Sequence, residues 1–369
     1  MSPEERTWIP VFDGHNDALT WIVLAGQEGE RLFLEGHDDW DIDLPKARSG
    51  GLAGGLFAIF VPAQGFETEW LMPQQTDDGY RTLPQPAVDQ AYAWDQTLFG
   101  LTRTLRLIRN APDRLVLASD AQQLASALGS ERVVVVLHLE GAEALDHRLE
   151  LLDVLVALGV RSLGIAWSRA NRFATGVPFC FPSTPDIGTG LTAPGIDLIR
   201  RCNEIGVMID LAHINERGFW DVAGLSSAPL VVSHANAHAI CPSSRNLTDA
   251  QIDAVGRSGG LIGVNFNCRD LRPDGRDDPD TPLDVIVRHV EYLAGRVGID
   301  HVAFGSDLAG ARMPAPLGGA AGFGALLERF GDRGFADSDL CKLAHGNWLR
   351  VLTESWRPSA TAPESRREN

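Results

Sequence analysis

The run Val133-Val-Val-Val-Leu-His-Leu-Glu-Gly141 decides the fold class, since it is apolar almost throughout and then ends in an ionisable residue. A short apolar run bounded by turn residues is typical of a buried β-strand. Seven further runs have the same character and complete, with Val133–Leu139, a set of eight predicted strands. They span Ile9–Phe12, Leu56–Val61, Ser162–Ala166, Val207–Leu211, Leu230–Ser233, Leu261–Phe266 and Val302–Phe304.

Stretches with apolar residues at helical spacing separate many of these strands. They span Tyr92–Ile108, Leu149–Leu158, Pro194–Ile205, Asp249–Arg257 and Leu283–Val297. Alternating strands and helices predict a parallel sheet, and eight buried strands without a domain break favour a closed (β/α)8 TIM barrel. We expect residues 1–356 to form this single domain and the polar residues 357–369 to form a tail. The Pro/Gly/Thr-rich segments 65–83 and 171–191 are predicted to be long loops suited to act as lids.

The charge balance limits the partners that the chain can bind. Its 369 residues include 49 acidic and 32 basic side chains, which gives a formal net charge of −17. Such a chain lacks the positive surface that nucleic acids and anionic membranes require, so we expect neither as a partner. The composition is otherwise that of an ordinary globular protein, with 44% hydrophobic and 22% charged residues.

Three features of the sequence predict a cytoplasmic location. The first residues are polar and acidic and do not resemble a secretory signal. The longest apolar run, residues 50–63, is rich in glycine and too short to span a bilayer. The five cysteines are scattered and form no Cys-x-x-Cys pair, which fits a reducing compartment better than a disulfide framework.

Ionisable residues follow five of the predicted strands, at the ends that open onto one face of a barrel. These residues lie in Asp13-Gly-His-Asn-Asp17, His138-Leu-Glu140, Asp210-Leu-Ala-His213, Ser233-His234 and Ser306-Asp307. Positions i and i+2 of an extended segment face the same way, so His15 and Asp17 can converge. We interpret His138 as a buried structural residue rather than a further ligand, because single histidines near strands are more often structural.

The residue types at these strand ends suit two divalent metal ions that share a bridging carboxylate. Imidazole and carboxylate ligands without a thiolate point to zinc, with manganese or iron as alternatives. Asp307 is not needed as a ligand in this arrangement and is available for proton transfer. The sequence therefore predicts a binuclear metal site at the carboxyl ends of the strands.

An ordered set of motifs resembles the renal (membrane) dipeptidase family, peptidase family M19 of the amidohydrolase superfamily. The resemblance extends from about Phe12 to Leu352. The motifs are Phe12-Asp-Gly-His-Asn-Asp17, Asp43-Leu-Pro-Lys46, Gly50-Gly-Leu-Ala-Gly-Gly-Leu-Phe57, Leu139-Glu-Gly-Ala-Glu-Ala144, Leu211-Ala-His213, Val232-Ser-His234, Ser244-Arg-Asn246, Gly305-Ser-Asp307 and His345-Gly-Asn-Trp-Leu-Arg-Val351.

The resemblance implies a role for each residue of the predicted site. His15 and Asp17 would bind one zinc ion, His213 and His234 the second, and Glu140 would bridge the two ions. A hydroxide that bridges the ions would attack the amide carbonyl.

The resemblance also implies how the substrate is held. Arg245 would grip the C-terminal carboxylate of a dipeptide, and Asp307 would act as the catalytic acid and base. Dipeptides of the L-Xaa-D-Xaa type are reasonable substrates, and a homodimer is expected.

One position departs from the family pattern. Trp167 stands where the best-known members carry a histidine that contacts the scissile group, and an indole N–H donates one hydrogen bond but carries no charge. Oxyanion stabilisation, or the substrate itself, is therefore expected to differ. Two alternatives stay open: another amide or lactam hydrolase on the same centre, acting on β-lactams or N-acyl amino acids, and a non-catalytic binding protein. Retention of all the predicted ligands and of Asp307 argues against the second.

Overall fold

Eight parallel strands form the ring of the central sheet in the described part of the chain. The computed structural model describes residues 9–64, 74–76, 78–83 and 85–357. The strands are β1 (Val11–Asn16), β2 (Leu52–Phe60), β3 (Val133–Glu140), β4 (Val160–Gly164), β5 (Met208–Asp210), β6 (Val231–Val232), β7 (Leu261–Val264) and β8 (Val302–Phe304). They are paired in this order around the sheet.

Helices surround the sheet and connect its strands. They are α1 (Ala18–Leu24), α2 (Gly29–Glu35), α3 (Leu44–Gly50), α4 (Gln90–Asn110), α5 (Ala121–Leu128), α6 (Glu150–Ala157), α7 (Ala193–Ile205), α8 (Glu216–Leu225), α9 (Asp249–Arg257), α10 (Cys268–Leu271), α11 (Asp284–Val297), α12 (Phe323–Asp332), α13 (Asp337–Cys341) and α14 (Asn347–Ser355). Several begin at an N-cap residue whose side chain accepts a backbone N–H, such as Asp43, Asp89 and Thr192.

The first and last strands meet at the carboxyl end of the sheet and nearly close it into a barrel. The backbone N–H of Asp307 donates to the carbonyl of His15 at 3.0 Å, and that of Asp17 donates to the carbonyl of Leu308 at 2.8 Å. The buried Asp13 carboxylate accepts from both the N–H and the hydroxyl of Ser306, each at 2.7 Å. The predicted (β/α)8 barrel is therefore confirmed.

Alternating residues of β3 belong to two different cores. Val133 and Val135 pack in the large cluster between the sheet and its surrounding helices. Val134 and Val136 pack in a second cluster with residues of other strands, Phe12 and Met208 among them, and with Trp348 of α14. The side-chain period of two in a strand explains this division, which places the second cluster inside the barrel.

Strand boundaries differ from the predicted ones at both ends of the barrel, and β2 begins four residues earlier than predicted. β1 begins later than predicted but continues to Asn16, and β3 includes Glu140. A ninth strand of this sheet, Leu115–Leu117, pairs with β3 and was not predicted. It is only three residues long, and its pairing partner rather than its own sequence makes it a strand.

The prediction that segments 65–83 and 171–191 are loops without regular structure was wrong in part. Gln74–Thr76, Gly79–Arg81 and Cys180–Phe181 form a small antiparallel sheet. All three strands are short, and the middle one pairs with Cys180–Phe181 from about a hundred residues away, which no local pattern indicates. Residues 65–73 and 77 of the first segment lie outside the described residues.

The described part of the chain contains no helix both long and apolar enough to cross a membrane. All five cysteines are free thiols, in agreement with the sequence-based expectation. The expectations for the first residues and for the tail after Arg357 concern positions outside the described residues.

Candidate metal centre

The structure brings the five predicted ligands together at the mouth of the barrel. Glu140 Oε1 lies 3.0 Å from His213 Nε2 and 3.9 Å from His234 Nε2. The same oxygen lies 3.6 Å from His15 Nε2, which is 3.4 Å from Asp17 Oδ2. Two groups of potential ligand atoms therefore share Glu140, namely His15, Asp17 and Glu140, and Glu140, His213 and His234.

Hydrogen bonds behind His234 fix the tautomer of its ring. The Asp210 carboxylate accepts from the N–H and the hydroxyl of Ser233, at 2.8 and 2.5 Å. Since that hydroxyl has only one proton to give, its oxygen accepts from His234 Nδ1 at 2.8 Å. Nε2 of His234 is then left with a lone pair directed at Glu140, as metal coordination requires.

His213 is held by a similar contact and by its backbone. Its Nδ1 lies 2.7 Å from the hydroxyl of Ser168, which can fix the tautomer in the same way. Its φ angle of 67° lies in the left-handed region, a strained conformation for a residue with a Cβ atom. The surrounding structure therefore imposes the position of this ring.

Divalent cations fit these residues. Both ring nitrogens of His15 are buried without a hydrogen-bond partner. His213 Nε2 and His234 Nε2 lie 2.9 Å apart, near the roughly 3.3 Å expected for two nitrogens on one tetrahedral zinc ion. One cation would bind His213 Nε2 and His234 Nε2, and a second would bind Nε2 of His15, with Glu140 next to both.

The electrostatics of the cluster point the same way. Burial raises the pKa of Glu140 well above its usual range, and the neighbouring carboxylates of Asp17 and Asp307 add to the effect. Burial lowers the pKa of His213 and of His234, which keeps both rings neutral. Burial also lowers the pKa of His15, but Glu140 and the other carboxylates outweigh it and raise the pKa to about 10. A bound cation would take the place of the protons that this cluster otherwise holds.

Asp307 lies beside the cluster, and its backbone conformation and a hydrogen bond fix the orientation of its carboxylate. Its φ angle is 64°, and its Oδ2 accepts from the side-chain amide of Asn265 at 3.1 Å. Its other oxygen, Oδ1, is turned toward His15 Nε2, 4.0 Å away. Burial raises the pKa of this carboxyl to about 7. The same position also allows a third group of potential ligands, His15, His234 and Asp307.

A cavity of about 460 Å³ opens over the cluster, and Glu140, His213 and Asp307 lie in its wall. Arg245 also lines it, buried to 5% exposure, with one N–H donating to the carbonyl of His234 at 3.2 Å. Asp270, a nearby lining carboxylate, accepts instead from the hydroxyl of Ser243. The guanidinium of Arg245 therefore has donors available for a ligand carboxylate.

Trp167 lines the cavity next to His213, with 5.9 Å between the ring centroids. His138 lies deeper, fully buried, with Nδ1 2.8 Å from the hydroxyl of Ser162 and in none of the three potential ligand groups. This supports the interpretation of His138 as structural.

Several supporting residues were not predicted from the sequence. Ser168 and Asn265 fix His213 and Asp307, but each is an ordinary polar residue within or after a predicted strand. Asp210 offered a weak signal, because it is an ionisable residue near the carboxyl end of a predicted strand.

The family model of the membrane dipeptidases, peptidase family M19, matches residues 6–366. The chain belongs to this family. Membership makes it a metallo-dipeptidase, a hydrolase that acts on peptide bonds, and its clusters of histidines and carboxylates are candidate metal sites.

Three relatives show how similar this membrane dipeptidase family member is to known proteins. A metallopeptidase from Rhodobacter sphaeroides, solved with a phosphinate mimic of the dipeptide L-Ala-D-Ala, is 39% identical with a TM-score of 0.90, over 95% of this chain and 100% of its own. An uncharacterized protein in the pqqA 5′ region of Klebsiella pneumoniae is 46% identical over 252 residues, 68% of this chain and 93% of that protein. The dipeptidase aclJ of Aspergillus oryzae is 27% identical over 364 residues, 95% of this chain and 80% of that protein.

Proposed function

We propose that the protein hydrolyses dipeptides with a free C-terminal carboxylate at a centre of two zinc ions. The observation that carries this proposal is the position of Glu140 Oε1, shared between His15 with Asp17 and His213 with His234. A bridging carboxylate flanked by imidazoles is a suitable ligand set for two zinc ions. When bound, such ions lower the pKa of a water molecule and polarise the scissile carbonyl.

The residues around the centre supply binding and proton transfer in this proposal. The Arg245 guanidinium binds the substrate carboxylate and so places the scissile amide over Glu140. Asp307 accepts the proton of the attacking water at Oδ1, since Asn265 occupies its other oxygen. It then delivers that proton to the amine nitrogen as the C–N bond breaks, which yields two free amino acids.

The relatives support a substrate class. The Rhodobacter sphaeroides protein binds a mimic of L-Ala-D-Ala, and we propose L-Xaa-D-Xaa dipeptides as substrates of this chain as well. The homodimer and the cytoplasmic location that the sequence suggests stay predictions.

The carboxylate-binding role of Arg245 gives the test. Arg245→Ala should mainly raise KM for free dipeptides, with a loss of about 2–5 kcal/mol in kcat/KM if the ion pair is desolvated. C-terminally amidated dipeptides should be poor substrates of the wild type and lose little more in the variant. Arg245→Lys, which keeps the charge but not the fork of donors, should fall between the two. Equal losses for free and amidated substrates would show that Arg245 is structural.

The same assay separates the proposed reaction from its alternatives. Dipeptides, N-acyl amino acids and β-lactams should be compared at saturating zinc. Turnover confined to the last two classes would replace the dipeptidase proposal with another amide hydrolase.

A further inference from the structure

Three aromatic side chains form one wall of the cavity, named here the aromatic wall: Phe60, Trp167 and Phe179. The ring centroids of Phe60 and Trp167 are 4.9 Å apart at an interplanar angle of 60°. Those of Trp167 and Phe179 are 5.8 Å apart at 68°. Such tilted contacts are the favoured geometry for aromatic packing, and together the rings present an apolar surface to the cavity.

A buried ion pair supports the aromatic wall. The guanidinium of Arg169 lies 5.2 Å from the ring centroid of Trp167 and 5.5 Å from that of Phe60. Its Nε donates to Glu143 at 2.8 Å and an Nη2 N–H donates to the carbonyl of Val61 at 2.6 Å. Both charged side chains are only 1% exposed. The wall is therefore held rigid by charges that do not reach the cavity.

This arrangement favours a neutral partner over a cationic one. An aromatic ring attracts a cation through its negative face, and Arg169 already occupies that interaction for Phe60 and Trp167. A cationic side chain of the substrate would therefore gain less from the same rings. An apolar group loses nothing by the presence of Arg169 and gains from burial against the rings.

The aromatic wall adjoins the candidate metal centre. Trp167 and Phe179 lie 5.9 and 6.2 Å from the ring centroid of His213. Ser168, the residue after Trp167, contacts Nδ1 of that same histidine. A group bound against the wall therefore lies next to the scissile bond.

The order of the strands decides which end of a dipeptide faces this wall. Arg245 follows β6, whereas Phe60 ends β2, which is four strands away in either direction around the ring of eight. A substrate whose carboxylate binds Arg245 and whose amide lies over Glu140 must extend its N-terminal residue toward the opposite side of the mouth. Phe60 lies on that side, and Trp167, which follows β4, extends the wall from Phe60 toward His213.

We infer that the aromatic wall is the subsite for the side chain of the substrate's N-terminal residue, and that Trp167 makes it select large apolar or aromatic side chains. This inference rests on the proposed function, because it uses Arg245 as the carboxylate site. It assigns Trp167 a role in specificity, where the family's histidine contacts the scissile group.

Two series of dipeptides test the inference with the zinc-loaded enzyme. The first keeps D-Ala at the C-terminus and varies the N-terminal residue through Gly, L-Ala, L-Leu and L-Phe. The second keeps L-Ala at the N-terminus and varies the C-terminal residue through D-Ala, D-Leu and D-Phe. We expect kcat/KM to rise at least about tenfold from Gly to L-Phe in the first series, the scale of a buried side chain in a pocket. A preference found only in the second series would overturn the assignment.

Variants of Trp167 identify the residue responsible. Trp167→Ala should reduce the L-Phe to Gly ratio of the first series at least about fivefold, a fraction of the wild-type preference. Trp167→Leu keeps an apolar side chain and so serves as a control for misfolding. It should retain part of the L-Leu to Gly ratio of kcat/KM. Trp220→Ala removes a half-exposed indole from α8 and should leave the ratio unchanged. An unchanged ratio in Trp167→Ala would refute the inference, whereas absence of turnover for every dipeptide in the wild type would refute the proposed function instead.

Discussion

The two halves of strand β3 face the same barrel interior but serve different purposes. Val134 and Val136, in the lower half, pack with apolar residues from other strands. His138 and Glu140, in the upper half, continue the same face into the mouth, where Glu140 meets the imidazoles of the candidate metal centre. The face is continuous, yet its character changes within two residues.

This difference shows how a barrel separates stability from chemistry. The lower half excludes water and gains free energy from apolar burial. The upper half buries carboxylates and imidazoles whose pKa values are shifted by that burial, which is unfavourable until a cation binds. A substitution in the upper half should therefore lower metal content and activity with little change in stability. A substitution in the lower half should lower stability with little change in metal content or activity.

The largest expected effect is that of Glu140→Gln in the upper half. Gln keeps the shape but offers a weaker, neutral ligand to both ions, so metal content should fall at both sites and kcat should fall at least about 10³-fold. In chelated protein the free energy of unfolding should change by less than about 1 kcal/mol, because Gln has nearly the same size and shape as Glu and leaves no cavity. Elemental analysis, dipeptide turnover and urea unfolding measure the three quantities. Retention of two ions at full activity would disprove the bridging role.

Asp307→Asn is the next largest, and it separates proton transfer from metal binding. The variant keeps the shape but cannot accept a proton, so kcat should fall about 10²–10⁴-fold. Metal content should stay near that of the wild type if Asp307 is the proton carrier. Loss of one ion would show instead that the third group, His15, His234 and Asp307, holds a metal.

Val134→Ala in the lower half should give the smallest effect, which is a loss of stability without a loss of metal or activity. Val134 is fully buried in the interior cluster, and removal of two methyl groups should cost about 1–3 kcal/mol in the free energy of unfolding. Metal content and kcat/KM measured below the melting temperature should match the wild type. A fall in kcat/KM without a loss of stability would show that the two halves are not separable.

Local sequence patterns determined the barrel and the composition of its mouth. Apolar runs and helical spacing are properties of neighbouring residues, so they predicted eight strands without knowledge of their partners. Ionisable residues directly after those runs, such as Glu140 and His234, were predictable as a cluster, because the carboxyl ends of all barrel strands open on one face.

Contacts between distant segments determined what the patterns could not show. The Ser168 hydroxyl reaches His213 from 45 residues away and the Asn265 amide reaches Asp307 from 42 residues away. Each contact depends on how two strand ends are oriented relative to each other, and no local sequence pattern determines that orientation. The direction in which a ligand's lone pair points is therefore a tertiary property, although the identity of the ligand is not.

The aromatic wall shows the same division most clearly. The sequence alone identified Trp167 as a departure from the family pattern at the end of a predicted strand. Only the fold brings Phe60 and Phe179 against it, places the Arg169 and Glu143 pair beside it, and sets the Phe60 end of the wall across the mouth from Arg245. Residue type determines which interactions a side chain can form. The neighbours of that side chain come from other strands, and their packing decides which of its faces a substrate can contact.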